Sequence, residues 1–254
     1  MNYNNENNFI GEGERVDDIG FGELKLIQKP EDFCYGVDAV ILADFAANHK
    51  KGPARTIVDL GTGTGVIPLI LSYKTDAEKI VGVELQEDSW KRACRNSEMN
   101  GLSRRVEFIN GDVNDFIKWG ESLKGQAEVV VCNPPYFIKG GGIKNDASAK
   151  TIARHETTAG LRDFLECAKY LLANKGDLFM VHRPSRLADL CYYGRQLGLE
   201  PKEMKFVSPN KNTAPNILLI HFVKGGGNEL RVLDPLYVYE TEGGYTEDLL
   251  KAYK

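Results

Sequence analysis

Asn133-Pro134-Pro135-Tyr136 sets a carboxamide, two prolines and a phenol in four consecutive residues. That set suits an amino nitrogen whose lone pair is delocalised into a carbonyl or an aromatic ring, and which is therefore a poor nucleophile. The Asn133 carboxamide oxygen and the Pro134 backbone carbonyl can each accept one N–H of such a group. Two acceptors so placed favour a pyramidal nitrogen and stabilise the positive charge that grows on it during methyl transfer. Hydrogen bonds to a charged group contribute about 1.5–3 kcal/mol each. The prolines restrict the backbone, so the carbonyl is held outward at little further entropic cost. Tyr136 offers a ring on which a planar group can stack, worth about 1–3 kcal/mol for a nucleobase. A separate general base is unnecessary, because the methylated cation loses its proton readily. Asn-Pro and Pro-Pro also mark turns in any loop, so the meaning of the motif rests on the elements that hold it.

Short apolar runs at Thr56–Leu60, Ile80–Glu84, Val106–Asn110, Glu128–Cys132 and Gly176–His182 read as strands. Helical patterns at Val66–Tyr73, Gln86–Met99 and Thr158–Ala173 separate them. Continuous apolar strands alternating with helices mean a parallel sheet covered on both faces, an α/β fold. In such a sheet ligands sit beyond the carboxyl ends of the strands, and that is where Asn133 falls. Three other strand ends carry usable residues. The first runs into Asp59-Leu60-Gly61-Thr62-Gly63-Thr64-Gly65, where glycines permit a tight turn and close approach of backbone to a ligand. The G-x-G-x-G spacing differs from the G-x-G-x-x-G of nicotinamide enzymes and needs no pyrophosphate cradle. It favours S-adenosylmethionine over NAD. Glu84 ends the second strand, where an acid accepts hydrogen bonds from ribose hydroxyls. Asp112, followed by Val113, comes after the third. Its carboxylate could accept from an adenine amino group or cap the next helix, and the two roles are compatible.

Around this core the chain reads as follows. Residues 1–18 form a polar tail, and 19–28 a short hairpin. A helix over Asp38–Asn48 completes an N-terminal piece reaching to residue 50, ahead of a catalytic domain over 51–254. A helix at Arg186–Leu197 and strands at Lys202–Val207, Asn216–Val223 and Leu230–Tyr239 finish the domain. The irregular stretch Pro134–Thr157 has the length of a lid or binding loop.

The chain of 254 residues carries 32 basic and 36 acidic side chains, a net charge of −4, which excludes a protein wrapped in basic surface. A local basic patch stays open. Lys139, Lys144, Lys150 and Arg154 face one acid between Lys139 and His155, and Arg183 and Arg186 begin a second basic stretch. Five dispersed cysteines without a C-x-x-C pair indicate reduced thiols, and with no signal-peptide pattern and no long apolar run the expected compartment is the cytoplasm, away from membranes. The four histidines sit at no metal-ligand spacing, so no metal is expected. The sequence does not indicate an oligomeric state.

The glycine loop, Glu84, Asp112 and the N-P-P-Y motif resemble class I S-adenosylmethionine-dependent methyltransferases, specifically those that methylate amino groups. Gln28–Ala46, Ala153–Glu156 and Leu230–Leu249 are similar to the small-domain family that methylates N6 of an adenosine beside the anticodon of a valine tRNA. The resemblance covers nearly all of the chain after residue 18. It implies a Rossmann-like, doubly wound, seven-stranded sheet of order 3-2-1-4-5-7-6, with the strand at Asn216–Val223 antiparallel to its neighbours. It implies S-adenosylmethionine as cofactor and tRNA as partner, with Tyr35 and Asp38 closing over the cofactor. Lys139, Lys144, Arg154, His155, Arg183 and Arg186 become candidate RNA contacts. Other readings are methylation of a glutamine amide in a release factor, guanine-N2 methylation of ribosomal RNA (where the motif usually reads N-P-P-F), DNA adenine methylation, and a non-catalytic module that binds cofactor or RNA.

Overall fold

The structure, a computed structural model, describes residues 8–32, 34–135 and 159–254. Strands β1 (Arg15–Asp18) and β2 (Lys25–Gln28) form an antiparallel hairpin, followed by helix α1 (Val37–His49). The alternating core is β3 (Thr56–Leu60), α2 (Val66–Lys74), β4 (Lys79–Glu84), α3 (Glu87–Met99), β5 (Val106–Asn110), the short α4 (Phe116–Trp119) and β6 (Ala127–Cys132). It continues with α5 (Leu161–Leu171), β7 (Leu172–His182), α6 (Leu187–Gln196), β8 (Leu199–Ser208) and β9 (Ile217–Lys224). Two short strands, β10 (Arg231–Val232) and β11 (Leu236–Tyr237), and helix α7 (Glu247–Lys251) end the chain.

The main sheet runs β10-β8-β9-β7-β6-β3-β4-β5, with β11 also paired to β8. Numbered from β3 as the first, its seven long strands follow 3-2-1-4-5-7-6, and β9 is antiparallel to β7 and β8. The doubly wound fold implied by the resemblance is therefore present, enlarged to nine strands by the two short ones. Alternate residues of the strands feed opposite faces. Ile57, Val129, Val131, Phe179 and Val181 enter the core under α1 and α2. Val58, Val130, Leu178 and Met180 enter the core under α5 and α6. Helix α1 buries Ala39 to Ala43, Phe45 and Ala46, more than one stripe, because it packs against both the sheet and α2.

Two expectations are corrected, and one element lies where none was expected. The hairpin begins at Arg15, inside the segment read as a tail, because Glu14 anchors the strand on α3. Its carboxylate accepts from Arg95 at 2.6 Å and Arg92 at 2.9 Å, and these guanidiniums, Arg95 foremost, hold it down at about 2 against the cost of burial. The strand expected over Leu230–Tyr239 is two separate pairs of residues, interrupted at Asp234-Pro235. Pro235 has no N–H to donate and biases the residue before it. Helix α7 went unread, although Thr246 accepts from the Leu249 N–H at 3.2 Å and Glu247 and Asp248 fill the first turn, a recognisable start signal. Among the described residues no helix is long and apolar enough to cross a membrane.

Candidate active site

The glycine loop sits between β3 and α2, fastened to the neighbouring strand. Gly61 and Thr62 both donate to the Val83 carbonyl, at 2.9 and 3.0 Å. Gly65 caps α2 at φ 86°, and a Cβ there would meet Phe108 at 2.6 Å, so only glycine fits. Gly63, at φ 58°, has nothing within 4 Å of its missing Cβ, which leaves its backbone bordering open space.

Glu84, nearly buried at the end of β4, grips this loop. One carboxylate oxygen accepts from the Gly63 N–H at 2.8 Å and the other from Gln86 at 2.9 Å. Behind them Asp59 is fully buried, and neither of its oxygens, nor the Thr62 hydroxyl, has a hydrogen-bond partner among the described residues. Burial pushes the Asp59 carboxyl up to about 7; Thr62 lies near enough to oppose the rise without meeting hydrogen-bond geometry, and the Glu84 carboxylate reinforces it. Orphaned acceptors beside an exposed glycine backbone fit a ligand that brings donors and positive charge. Without one, a carboxyl raised in the folded chain keeps a proton that the unfolded chain has already lost. Stability then falls as pH rises from the unfolded carboxyl's range towards about 7. The Asp59→Asn variant, free of cofactor, is expected to melt several degrees above the wild type at pH 8, the gap closing in acid below about pH 4. Coincident melting curves at pH 8 would remove the buried charge as a cost.

Asp112 takes the capping role: its side chain accepts from the Asn114 N–H at 2.8 Å. Asn110 ties the adjoining turn to the Glu84 and Leu85 carbonyls at 2.9 and 3.0 Å, and Val113 is buried behind. The third and second strand ends are thus held together, with the half-exposed Asp112 at their margin.

At the fourth strand end Asn133 is half-buried, Pro134 buried and Pro135 exposed. Asn133 donates from Nδ2 to Asp38 Oδ2 at 3.2 Å, while Asp38 Oδ1 accepts the Ala39 N–H at 3.0 Å in the first turn of α1. The N-terminal segment therefore orients the motif. The amide nitrogen is thus turned to Asp38, and the carboxamide oxygen is the opposite end of the same planar group. Loss of that charge-assisted bond, worth about 1.5–3 kcal/mol, lets the amide rotate. Asp38→Ala is expected to lower kcat about tenfold, with Asp38→Asn, which keeps an acceptor, recovering much of it. Equal kcat for all three proteins would leave Asp38 without this role.

The other expected residues are placed as follows. Tyr35 donates its backbone N–H to Gln28 at 3.1 Å and lines a concavity with the hairpin and the C-terminal tyrosines. Arg183 donates to the Asn216 carbonyl at 3.2 Å and Arg186 pairs with Asp189 at 2.6 Å, both just past the carboxyl end of β7. Tyr136, Lys139, Lys144, Arg154 and His155 lie outside the described residues. Cys132 is buried and its thiol is pushed well up by burial, so it is no nucleophile. His49 pairs with Glu203 at 2.6 Å and His221 with Asp177 at 2.9 Å, at the amino ends of the strands, and no group suited to a metal ion occurs among the described residues. Asn96, unread in the sequence, proves central: fully buried on α3, it donates to the Thr64 carbonyl of the glycine loop at 2.9 Å and accepts from the Ile27 N–H of β2 at 2.6 Å.

Comparison with known proteins identifies the family. Residues 26–188 match the model of the methyltransferase small domain. A tRNA1(Val) (adenine(37)-N6)-methyltransferase of Parabacteroides distasonis is 29% identical over 185 residues, 73% of this chain and 74% of its own. A protein of the same name from Flavobacterium johnsoniae is 24% identical over 92% of this chain and 96% of its own. In fold, the chain is similar to a predicted O-methyltransferase, Atu636 of Agrobacterium tumefaciens, with a TM-score of 0.66 and 21% identity over 85% of this chain and 96% of that one. The loop of glycines, the acid that grips it and the oriented carboxamide thus lie in a chain that belongs to the methyltransferase small domain family, S-adenosylmethionine-dependent enzymes of the class I fold.

Proposed function

We propose that this methyltransferase acts on the exocyclic N6 of an adenosine in RNA, most specifically in a tRNA near the anticodon. The observation that carries the reading is the Asp38–Asn133 bond, which fixes the carboxamide of the N-P-P-Y motif just past the carboxyl end of β6. The names of the two relatives support adenine N6 and tRNA. Asp59, Gly61, Thr62, Gly63, Gly65, Glu84, Asp112 and Val113 are the residues that would hold the cofactor, which when bound supplies an electrophilic methyl group.

The chain's own work is to place and polarise the acceptor. Asn133 and Pro134 each accept one N–H of the amino group, so the nitrogen lone pair is drawn out of the ring and aimed at the methyl carbon. Asn133 and Pro134 would stabilise the positive charge that the amino nitrogen gains on taking the methyl group, the cofactor being left as the neutral thioether. That nitrogen then loses one proton to water. An anticodon-loop base is unpaired or readily splayed out, which lowers the cost of presenting N6.

The test is incubation with methyl-labelled S-adenosylmethionine and, in parallel, tRNA lacking its native methylations and a release-factor fragment. The expected result is label in N6-methyladenosine after digestion of the tRNA. Label in a methylated guanosine, or in the protein fragment alone, would overturn the adenine assignment and keep the enzyme class.

A further inference from the structure

A second concavity lies on the same rim of the molecule. Strands β6, β7 and β8 run in one direction, so Ser208 at the end of β8 is on the side of Asn133. The C-terminal segment attaches there: Val238 donates to the Ser208 carbonyl at 3.0 Å and Tyr239 to that of Pro209 at 2.8 Å. It then turns back through a bridge between Tyr239 and Tyr245, whose rings stack at 5.5 Å and are 47% and 46% exposed. Tyr245 opens onto a cavity of about 550 Å³ whose walls include Arg15, Asp17, Gln28, Tyr35 and Tyr253. Gly36 and Val37 form the wall next to Asp38, the residue bonded to Asn133.

We infer that this cavity is a nucleobase subsite for the RNA substrate, receiving an unpaired base close to the methylated adenosine. The inference rests on the RNA reading above and adds a site to it. Tyrosines at an open, mostly polar concavity suit a planar ring with hydrogen-bonding edges, as single-stranded RNA is bound by stacking its splayed bases on aromatic side chains. The charges select a base over a phosphate: the lining carries Asp17 and Asp18 against Arg15 alone. Carboxylates repel phosphate and accept the amino N–H groups on base edges. Asp17 is held for that use, accepting from Gln28 at 2.6 Å and Arg15 at 3.0 Å. Burial foremost, with the neighbouring tyrosines and Asp17 and Asp18, pushes the Tyr35 phenol up to about 12, so it stays a donor for ring nitrogens or carbonyls. The shared wall places such a base beside the acceptor position at Asn133 instead of across the molecule.

The test compares wild type, Tyr245→Ala, Tyr245→Phe and Tyr239→Ala, with initial rates measured against tRNA concentration and cofactor affinity measured by calorimetry. Tyr245→Ala is expected to raise KM for tRNA about tenfold, with kcat and cofactor affinity unchanged. Tyr245→Phe keeps the ring and stays within about twofold of wild type. Tyr239→Ala removes the ring behind Tyr245 and raises KM in the same direction, independently of any folding defect in Tyr245→Ala. An unchanged KM in both alanine variants overturns the subsite. So does a matching loss of cofactor affinity, which would give the cavity to the cofactor, or an effect confined to a protein acceptor. Wild type that binds cofactor but labels no RNA is a separate result, and overturns the RNA reading itself.

Discussion

Asn133→Ala is expected to lower kcat about a hundredfold while leaving the affinity for S-adenosylmethionine within about twofold of wild type, by analogy with loss of one preorganised oxyanion donor. In the proposed reaction the carboxamide touches the nitrogen that gains charge, and the glycine loop and Glu84 hold together without it. The loss should therefore fall on the chemical step. Asn133→Asp is the sharper variant, because it sets a second carboxylate against Asp38, now 3.2 Å from the amide nitrogen. Like charges so close repel, and one of them takes up a proton or turns away. The double variant Asp38→Ala/Asn133→Ala then decides how Asp38 works. If it acts only by orienting Asn133, adding its loss to that of Asn133 changes little, since neighbours in one network are not additive. If cofactor affinity collapses with Asn133→Ala and turnover of bound substrate survives, Asn133 belongs to the cofactor site and the acceptor role is lost.

The parts of this site that could be read in advance are those with local signals. Strands β3, β4, β5 and β6 announce themselves as short apolar runs, and the candidate site residues fall at or just past the end of each. Glycines at 61, 63 and 65 need positive φ, a demand that shows in residue type. The Asp38–Asn133 bond spans 95 residues and has no signature in either neighbourhood. An acid near the start of a helix reads first as a partner of the helix dipole. The start of the hairpin was hidden for a similar reason. Arg15–Asp18 is polar and short, and what makes it a strand is Glu14 docked on Arg92 and Arg95 of a helix nearly eighty residues on. Local pattern supplied the sheet and its ligand edge; the clamps that aim that edge are long-range and polar.

Asn96→Ala should cost the most stability of any single change near the site, because one side chain serves three backbone groups, two of them on the buried Ile27. It accepts from the Ile27 N–H at 2.6 Å and donates to the carbonyls of Ile27 at 3.3 Å and Thr64 at 2.9 Å. Asn100, one turn later, treats Lys25 likewise, accepting its N–H at 2.9 Å and donating to its carbonyl at 2.7 Å. The pairing works because four residues of helix rise about 6 Å and two of strand about 6.7 Å. Two carboxamides on α3 thus stand in for a strand along the edge of β2 that β1 does not use. Asparagine is a poor helix former, and two of them four apart near buried Ala93 and Ser97 are the trace this leaves in the sequence. A buried group stripped of its partner costs about 1–3 kcal/mol, so Asn96→Ala is expected to lose about 3–5 kcal/mol of unfolding free energy by urea titration. Because Thr64 belongs to the glycine loop, cofactor affinity should fall as well, in conditions where the variant is still folded. Asn100→Ala strips two groups in a less buried place, and is expected to lose less stability and keep its cofactor affinity. Equal effects of the two variants on cofactor binding would mean that the hairpin is only packed against α3, and that Asn96 does not set the loop.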